Sequence, residues 1–171
     1  MNQPFRPSRS RGFTLIELVI TLALVGLAAM VSLPLFEITA TRAKEAELRQ
    51  ALRTIRNGLD AYKAAADSGV LPKAAGESGF PTSLEVLTQV LDTTTKRDLG
   101  AGATDASQRI VFLRQLPRDP FFPDPQTPAE QTWNTRAYAS RADDPQPGAD
   151  VFDVSSKSAG IALDGTPYAN W

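Results

Sequence analysis

Between Phe13 and Leu33 the chain runs FTLIELVITLALVGLAAMVSL, 21 residues with one charge, Glu17, ahead of Pro34. As a helix this stretch is about 32 Å long, enough for the hydrocarbon core of a bilayer. The pattern then changes. Leu48, Leu52, Ile55, Leu59 and Tyr62 recur at spacings of 3 and 4, which is one apolar face of an amphipathic helix. Arg42, Glu45, Arg49, Arg53, Arg56 and Lys63 fall mainly on its other sides and read as solvated charges, some available for contacts with other subunits. The two patterns predict one helix from Phe13 to about Ala66, weakened slightly by Gly58. Pro34 lacks an N–H and clashes with the carbonyl one turn back, so the helix either kinks or opens there. Gly26 loosens the turns upstream.

The remainder, from about Gly69, is richer in Gly and Pro. Thr82 to Leu91 reads as a short helix, with Thr82 and Glu85 at capping-box spacing. Residues 92–108 read as a polar loop. An apolar run of undetermined type follows from Ile110, and Asp119-Pro120 and Asp124-Pro125 mark turns. Trp133–Ser140 and Asp150–Ser155 read as two strands joined by DDPQPGAD. So small a sheet has no core of its own, and the apolar face of the long helix would cover it. The fold class is α+β: one long N-terminal α-helix packed on a small antiparallel β-sheet domain.

Composition narrows the chemistry. The chain has no Cys and no His, which removes thiolate nucleophiles, disulfides, histidine-dependent triads and the commonest metal ligand. Its net charge of −1 gives no reason to expect a nucleic-acid partner. No phosphate loop or EF-hand pattern is present. Asp143, Asp144, Asp150 and Asp153 cluster in sequence without a nucleophile beside them, and read as a solvated loop and strand end. The expectation is a protein without an active site.

Ahead of the apolar run, residues 1–12 carry Arg6, Arg9 and Arg11 and no acid, which predicts a cytoplasmic N-terminus and a C-terminal part outside the cytoplasm. Ala23, Gly26 and Ala29 stand three residues apart, either a ridge for close helix approach in lipid or simple filling of a span. Glu17 costs roughly 2.5–3.5 kcal/mol at a bilayer centre and less near the interface. It either snorkels to the headgroups or meets a cation at its own depth. No Lys or Arg lies between Phe13 and Phe36. A cut between Gly12 and Phe13 would create one, because the new amine of Phe13 is an ammonium at neutral pH. Its own Glu17 lies one turn away; in a bundle of identical chains the amine could instead pair with a neighbour's Glu17 and set the axial stagger. An ordinary secretory signal cut near Ala29 or Ala40 fits less well, since a carboxylate would sit in its core and the helix runs past both points. A twin-arginine signal is broken by Ser10 between Arg9 and Arg11.

The basic leader, Gly12 and FTLIELVITLALVG together closely resemble the class III signal of type IV prepilins and type II secretion pseudopilins, including the positions of Gly26 and Pro34. The resemblance implies cleavage by a prepilin peptidase between Gly12 and Phe13 and N-methylation of Phe13. It makes Glu17, Gly26 and Pro34 assembly residues. It divides the chain into a cleaved leader (1–12), a transmembrane and filament-core helix (13–36), its amphipathic continuation (37–67) and a periplasmic head (68–171). Loss of the leader leaves 15 basic and 19 acidic residues, a net of −4.

Further on, LPRDPF, WNTRAYAS and DVFDVSSKSAGIALDGTPYANW are similar, less specifically, to the C-terminal region of the major pseudopilin of type II secretion systems. Many type IV pilins close this region with a disulfide; this chain has no Cys. The implied function is a single-pass inner-membrane subunit, polymerising with copies of itself and with minor pseudopilins on an inner-membrane assembly platform, to export folded proteins. A type IV pilin and a simply anchored periplasmic binding protein or enzyme are the alternatives. The resemblance also implies calcium in the last loop. Calcium takes six to eight oxygens, yet the tail offers one carboxylate, Asp164, with Lys157 where an acid is expected. The expectation is no cofactor: Lys157 and the Asp164-Gly165 turn order the loop, and Asp164 is the single calcium candidate.

Overall fold

The computed structural model describes residues 12–93 and 109–171, without the side chains of Val31, Leu33 and Pro34. It is an α+β, pilin-like fold: one long helix, α1 (Leu15–Asp67), followed by short antiparallel ladders. The leader residues 1–11 and most of the expected polar loop (94–108) lie outside the described part. The chain divides into two compact units, Met1–Thr41 and Arg42–Trp171.

In the first unit α1 is apolar and, among its described side chains, open to the surroundings; Leu15, Ile16, Leu24 and Leu27 are each more than 60% exposed. It is long and apolar enough to cross a membrane. Hydroxyls in it are satisfied within the helix: Thr21 donates to the carbonyl of Leu18 and Ser32 to that of Ala28, both at 2.9 Å. Such back-bonding hides polar groups where no water is available. The helix is continuous through positions 26 and 34.

Within the second unit, Leu48, Leu52, Ile55 and Leu59 are 0–2% exposed and Tyr62 is half-buried, as their spacing predicts. They form one core with Leu84, Leu87, Leu116, Trp133, Val151, Val154 and Tyr168. Gly58 has a packing role beyond its helix propensity. A Cβ there would lie 3.1–3.3 Å from the side chain of Leu113, so the missing side chain admits that leucine against α1. The helix ends in a Schellman motif: Gly69 takes φ +75°, its N–H bonds Ala66 and the N–H of Val70 bonds Ala65.

The expected helix at Thr82–Leu91 is instead a 3-10 turn, Leu84–Thr88, and Ser83 at its start makes no side-chain cap bond. No Thr82–Glu85 capping box forms. Leu84 and Leu87, spaced by three, are both buried, and the three-residue period of the turn stacks them on one face. Asp92 belongs to β1 (Leu91–Asp92), paired with β2 (Arg109–Ile110). The apolar run is strand only at that start. Both Asp-Pro turns form: the N–H of Phe121 donates to the Asp119 carboxylate at 2.8 Å and that of Gln126 to Asp124 at 2.9 Å.

The main ladder pairs β3 (Trp133–Arg136) with β4 (Asp153–Ser156), Trp133 opposite Ser156 and Arg136 opposite Asp153. Both strands are shorter than expected. The chain leaves β3 at Ala137, whose N–H bonds the Gln146 carbonyl while its own carbonyl takes the N–H of Ser140. Nor does the joining loop simply float: the Asp150 carboxylate accepts the N–H of Tyr138 at 2.8 Å. Gly148 passes so near β3 that an added Cβ would stand 2.7 Å from the Cβ of Ala137. Gly148→Ala is expected to destabilise this unit by about 1–3 kcal/mol, as overpacking does. A urea midpoint equal to the parent's would refute the close approach.

Two acids meet where the 3-10 turn Leu84–Thr88 approaches a second one, Ala129–Thr132. A hydrogen bond from its protonated form to Glu85, then burial, then the charge of Glu85 hold the Glu130 carboxyl above the ordinary glutamate range. A raised carboxyl pKa stabilises the fold below the unfolded-state value, and that contribution fades as pH rises through the folded-state value. Glu130→Gln should therefore stabilise at pH 7 by a few tenths of a kcal/mol, since solvent screens the pair. At pH 4 its effect should vanish. Thermal midpoints at the two pH values decide, and an equal shift at both would contradict the raised Glu130 carboxyl.

Candidate assembly site at the start of the long helix

Gly12, Phe13 and Thr14 precede α1 in irregular backbone, all exposed, Phe13 by 81%. Thr14 then caps the helix. Its Oγ1 accepts the N–H of Glu17 at 3.3 Å, and its carbonyl accepts the N–H of Leu18. Thr14 and Glu17 thus occupy the first and last positions of a T-x-x-E capping sequence. That spacing is legible in the sequence, and it gives Glu17 a local reason to stand in the first turn: an acid there complements the helix dipole. The local reason does not use up the carboxylate. Among the described residues Glu17 makes no ion pair, and it is exposed.

The same openness holds for the small residues. Ala23, Gly26 and Ala29 are exposed, and a Cβ on Gly26 would meet nothing within 4 Å. Among the described residues, nothing occupies the space that a side chain at position 26 would take. The same is true of Gly12. Pro34 lies inside α1.

In the C-terminal unit, several charges expected to be solvated are structural. Glu45 is 5% exposed; one of its oxygens accepts the N–H of Leu163 at 2.8 Å and the phenol of Tyr168 at 3.1 Å. Burial, and next the Glu45 carboxylate, hold the Tyr168 phenol above its ordinary pKa, so it stays a donor. Arg49 lies over the Trp171 ring, 4.1 Å from its centroid, and faces Asp164 at 3.4 Å. Arg56 donates to Asp153 (2.8 Å) and to the carbonyls of Val154 (3.0 Å) and Trp171 (2.7 Å). Asp153 is therefore no free acid. Asp143 pairs with Arg141, Asp144 takes the amide of Gln146, and Asp153 also faces Arg136, so no two of the four clustered aspartates share these partners. Lys157 donates to the Gln131 carbonyl at 2.7 Å.

Residues 7–33 match the model for the prokaryotic N-terminal methylation motif, the class III signal of type IV pilin-like proteins. The match takes in the Gly12–Phe13 junction, Thr14, Glu17 and Gly26. No curated protein and no solved structure matches the chain. The motif points to a structural, pilin-type protein anchored by an apolar N-terminal helix.

Proposed function

We propose that this chain is a pseudopilin: a subunit cut between Gly12 and Phe13, N-methylated on Phe13, and polymerised into the short filament of a type II secretion system. One observation carries the pilin-type part. A methylation motif sits on an apolar stretch, residues 13–33, whose described side chains are exposed and whose one acid, Glu17, has no ion pair among the described residues. Cleavage supplies the missing cation as the Phe13 amine, and methylation retains its charge. Bonded to the Glu17 of an adjacent copy, it fixes the axial register. The basic leader sets the topology, N-terminus in the cytoplasm and C-terminal unit in the periplasm. Gly26 and Pro34 mark the section of helix that yields on packing. The assembly platform, the peptidase and the minor pseudopilins are the remaining partners.

The choice of secretion over a surface pilus rests on the C-terminal half: LPRDPF, WNTRAYAS and a cysteine-free tail. Deleting the gene in the native host tests it. Loss of secreted proteins with normal surface motility and DNA uptake supports the pseudopilin. The reverse pattern identifies a type IV pilin, with the same anchor and a different task. The intact mass of the membrane form tests processing first. A chain that starts at Met1, or near Ala29 or Ala40, would refute the filament reading altogether.

A further inference from the structure

Residues 157–171 carry a loop that, by resemblance, takes calcium. The donors do not fit that ion. Asp164 is the only carboxylate side chain there. Its Oδ1 already accepts the N–H of Thr166 at 2.9 Å and the Thr166 hydroxyl at 2.6 Å, and its Oδ2 faces the Arg49 guanidinium. Among the described residues no three acids converge. An arginine on one side and a lysine earlier in the segment oppose a divalent cation, and six to eight oxygens are not to hand.

We propose that the long helix itself does the cation's work: Glu45, Arg49 and Arg56 form a clamp that seats the C-terminal segment without metal. At 3.6 residues per turn the three lie within about 40° of one another around α1, a single stripe. Each grips a different part. Glu45 ties the Leu163 amide and the Tyr168 hydroxyl; Tyr168 is 3% exposed and stacks on Phe121 at 4.2 Å. Arg49 covers the Trp171 ring and meets Asp164. Arg56 reaches the Trp171 carbonyl and, through Asp153 and the Val154 carbonyl, locks the same tail to β4. The turn between these grips is closed by the protein alone. Gly165 takes φ +87°, its N–H bonds the Ala162 carbonyl, and the Ala162 N–H bonds Thr166. Because Glu45 is buried with two donors on one oxygen, removing it strands both donors.

Hydrogen exchange of the full chain in detergent micelles tests this, with millimolar calcium chloride or excess EDTA. The expected result is equal protection of residues 157–171 in both. Glu45→Ala should raise exchange around 160–168 at least about tenfold, and Arg56→Ala that of 168–171, while amides of β3 and of Leu52–Leu59 hold. Glu45→Gln, which keeps an acceptor oxygen, should restore most of the protection. A tenfold calcium-dependent gain, or micromolar calcium uptake by calorimetry, would overturn the proposal. So would unchanged exchange in both alanine variants. Should Glu45→Ala unfold the whole unit, the calcium comparison on the parent chain still decides. None of these readouts involves filament assembly or secretion, so the clamp and the proposed function fail separately.

Discussion

Glu17→Ala is expected to leave the C-terminal unit as stable as in the parent chain and to remove the proposed self-assembly. The two halves of this result have separate causes. Glu17 is exposed and unpaired among the described residues, and Thr14 caps its backbone N–H, not its side chain. Alanine therefore keeps the cap, and the unfolding free energy should stay within about 0.5 kcal/mol of the parent. Insertion becomes easier, because the cost of a membrane carboxylate disappears. What is lost is the carboxylate that, in the proposed filament, holds a neighbour's Phe13 amine. Cross-linking between copies through a single cysteine introduced at Ala23 measures this, since the chain has no other thiol. The cross-linked yield should fall at least about tenfold. A normal yield with the acid gone would leave the carboxylate without its proposed role.

Trp133→Ala has the largest expected effect on stability. The ring is 2% exposed at the start of β3, and its Nε1–H donates to the Pro117 carbonyl at 2.9 Å. Truncation opens a cavity between that strand and α1 and orphans a carbonyl. Large aromatic-to-alanine changes cost about 3–5 kcal/mol, against a total of roughly 5–15 kcal/mol for a domain. Trp133→Phe keeps most of the volume and should lose about 1–3 kcal/mol, mainly through the unsatisfied carbonyl. Urea titrations of the full chain in micelles give both values. Equal losses in the two variants would mean that packing of the ring contributes little.

The long helix and its buried face were legible because burial there follows spacing alone. Glu45 departs from the solvated reading its charge suggests, and the same spacing rule places it in the core. Glu45, Leu48, Leu52, Ile55 and Leu59 continue one spacing of 3, 4, 3 and 4. Charge argued for solvent, and position argued for the core; position won, because Leu163 and Tyr168 bring donors to it. Those donors lie 118 and 123 residues away, and nothing local announces them. Arg56 and Asp153 were hidden for the same reason. The Thr82–Glu85 pair shows the opposite failure, a good local signal without effect: the turn is 3-10 and begins one residue later, with Ser83 at its N-cap position. At the N-terminus, Gly12, Phe13 and Glu17 could be singled out because a carboxylate in an apolar run is costly. The capping role of Thr14 is equally legible in the T-x-x-E spacing.

The chain contains two tryptophans, and the fold gives them different surroundings. Trp133 is sealed in the core, while Trp171 is half-open beneath a guanidinium. The protein thus carries two native optical reporters, a blue-emitting one for collapse of the interior and a redder one for seating of the tail. In Trp133→Phe the signal that remains belongs to the tail alone. Stopped-flow refolding of that variant would time the closing of the tail against the formation of the core, with no dye attached.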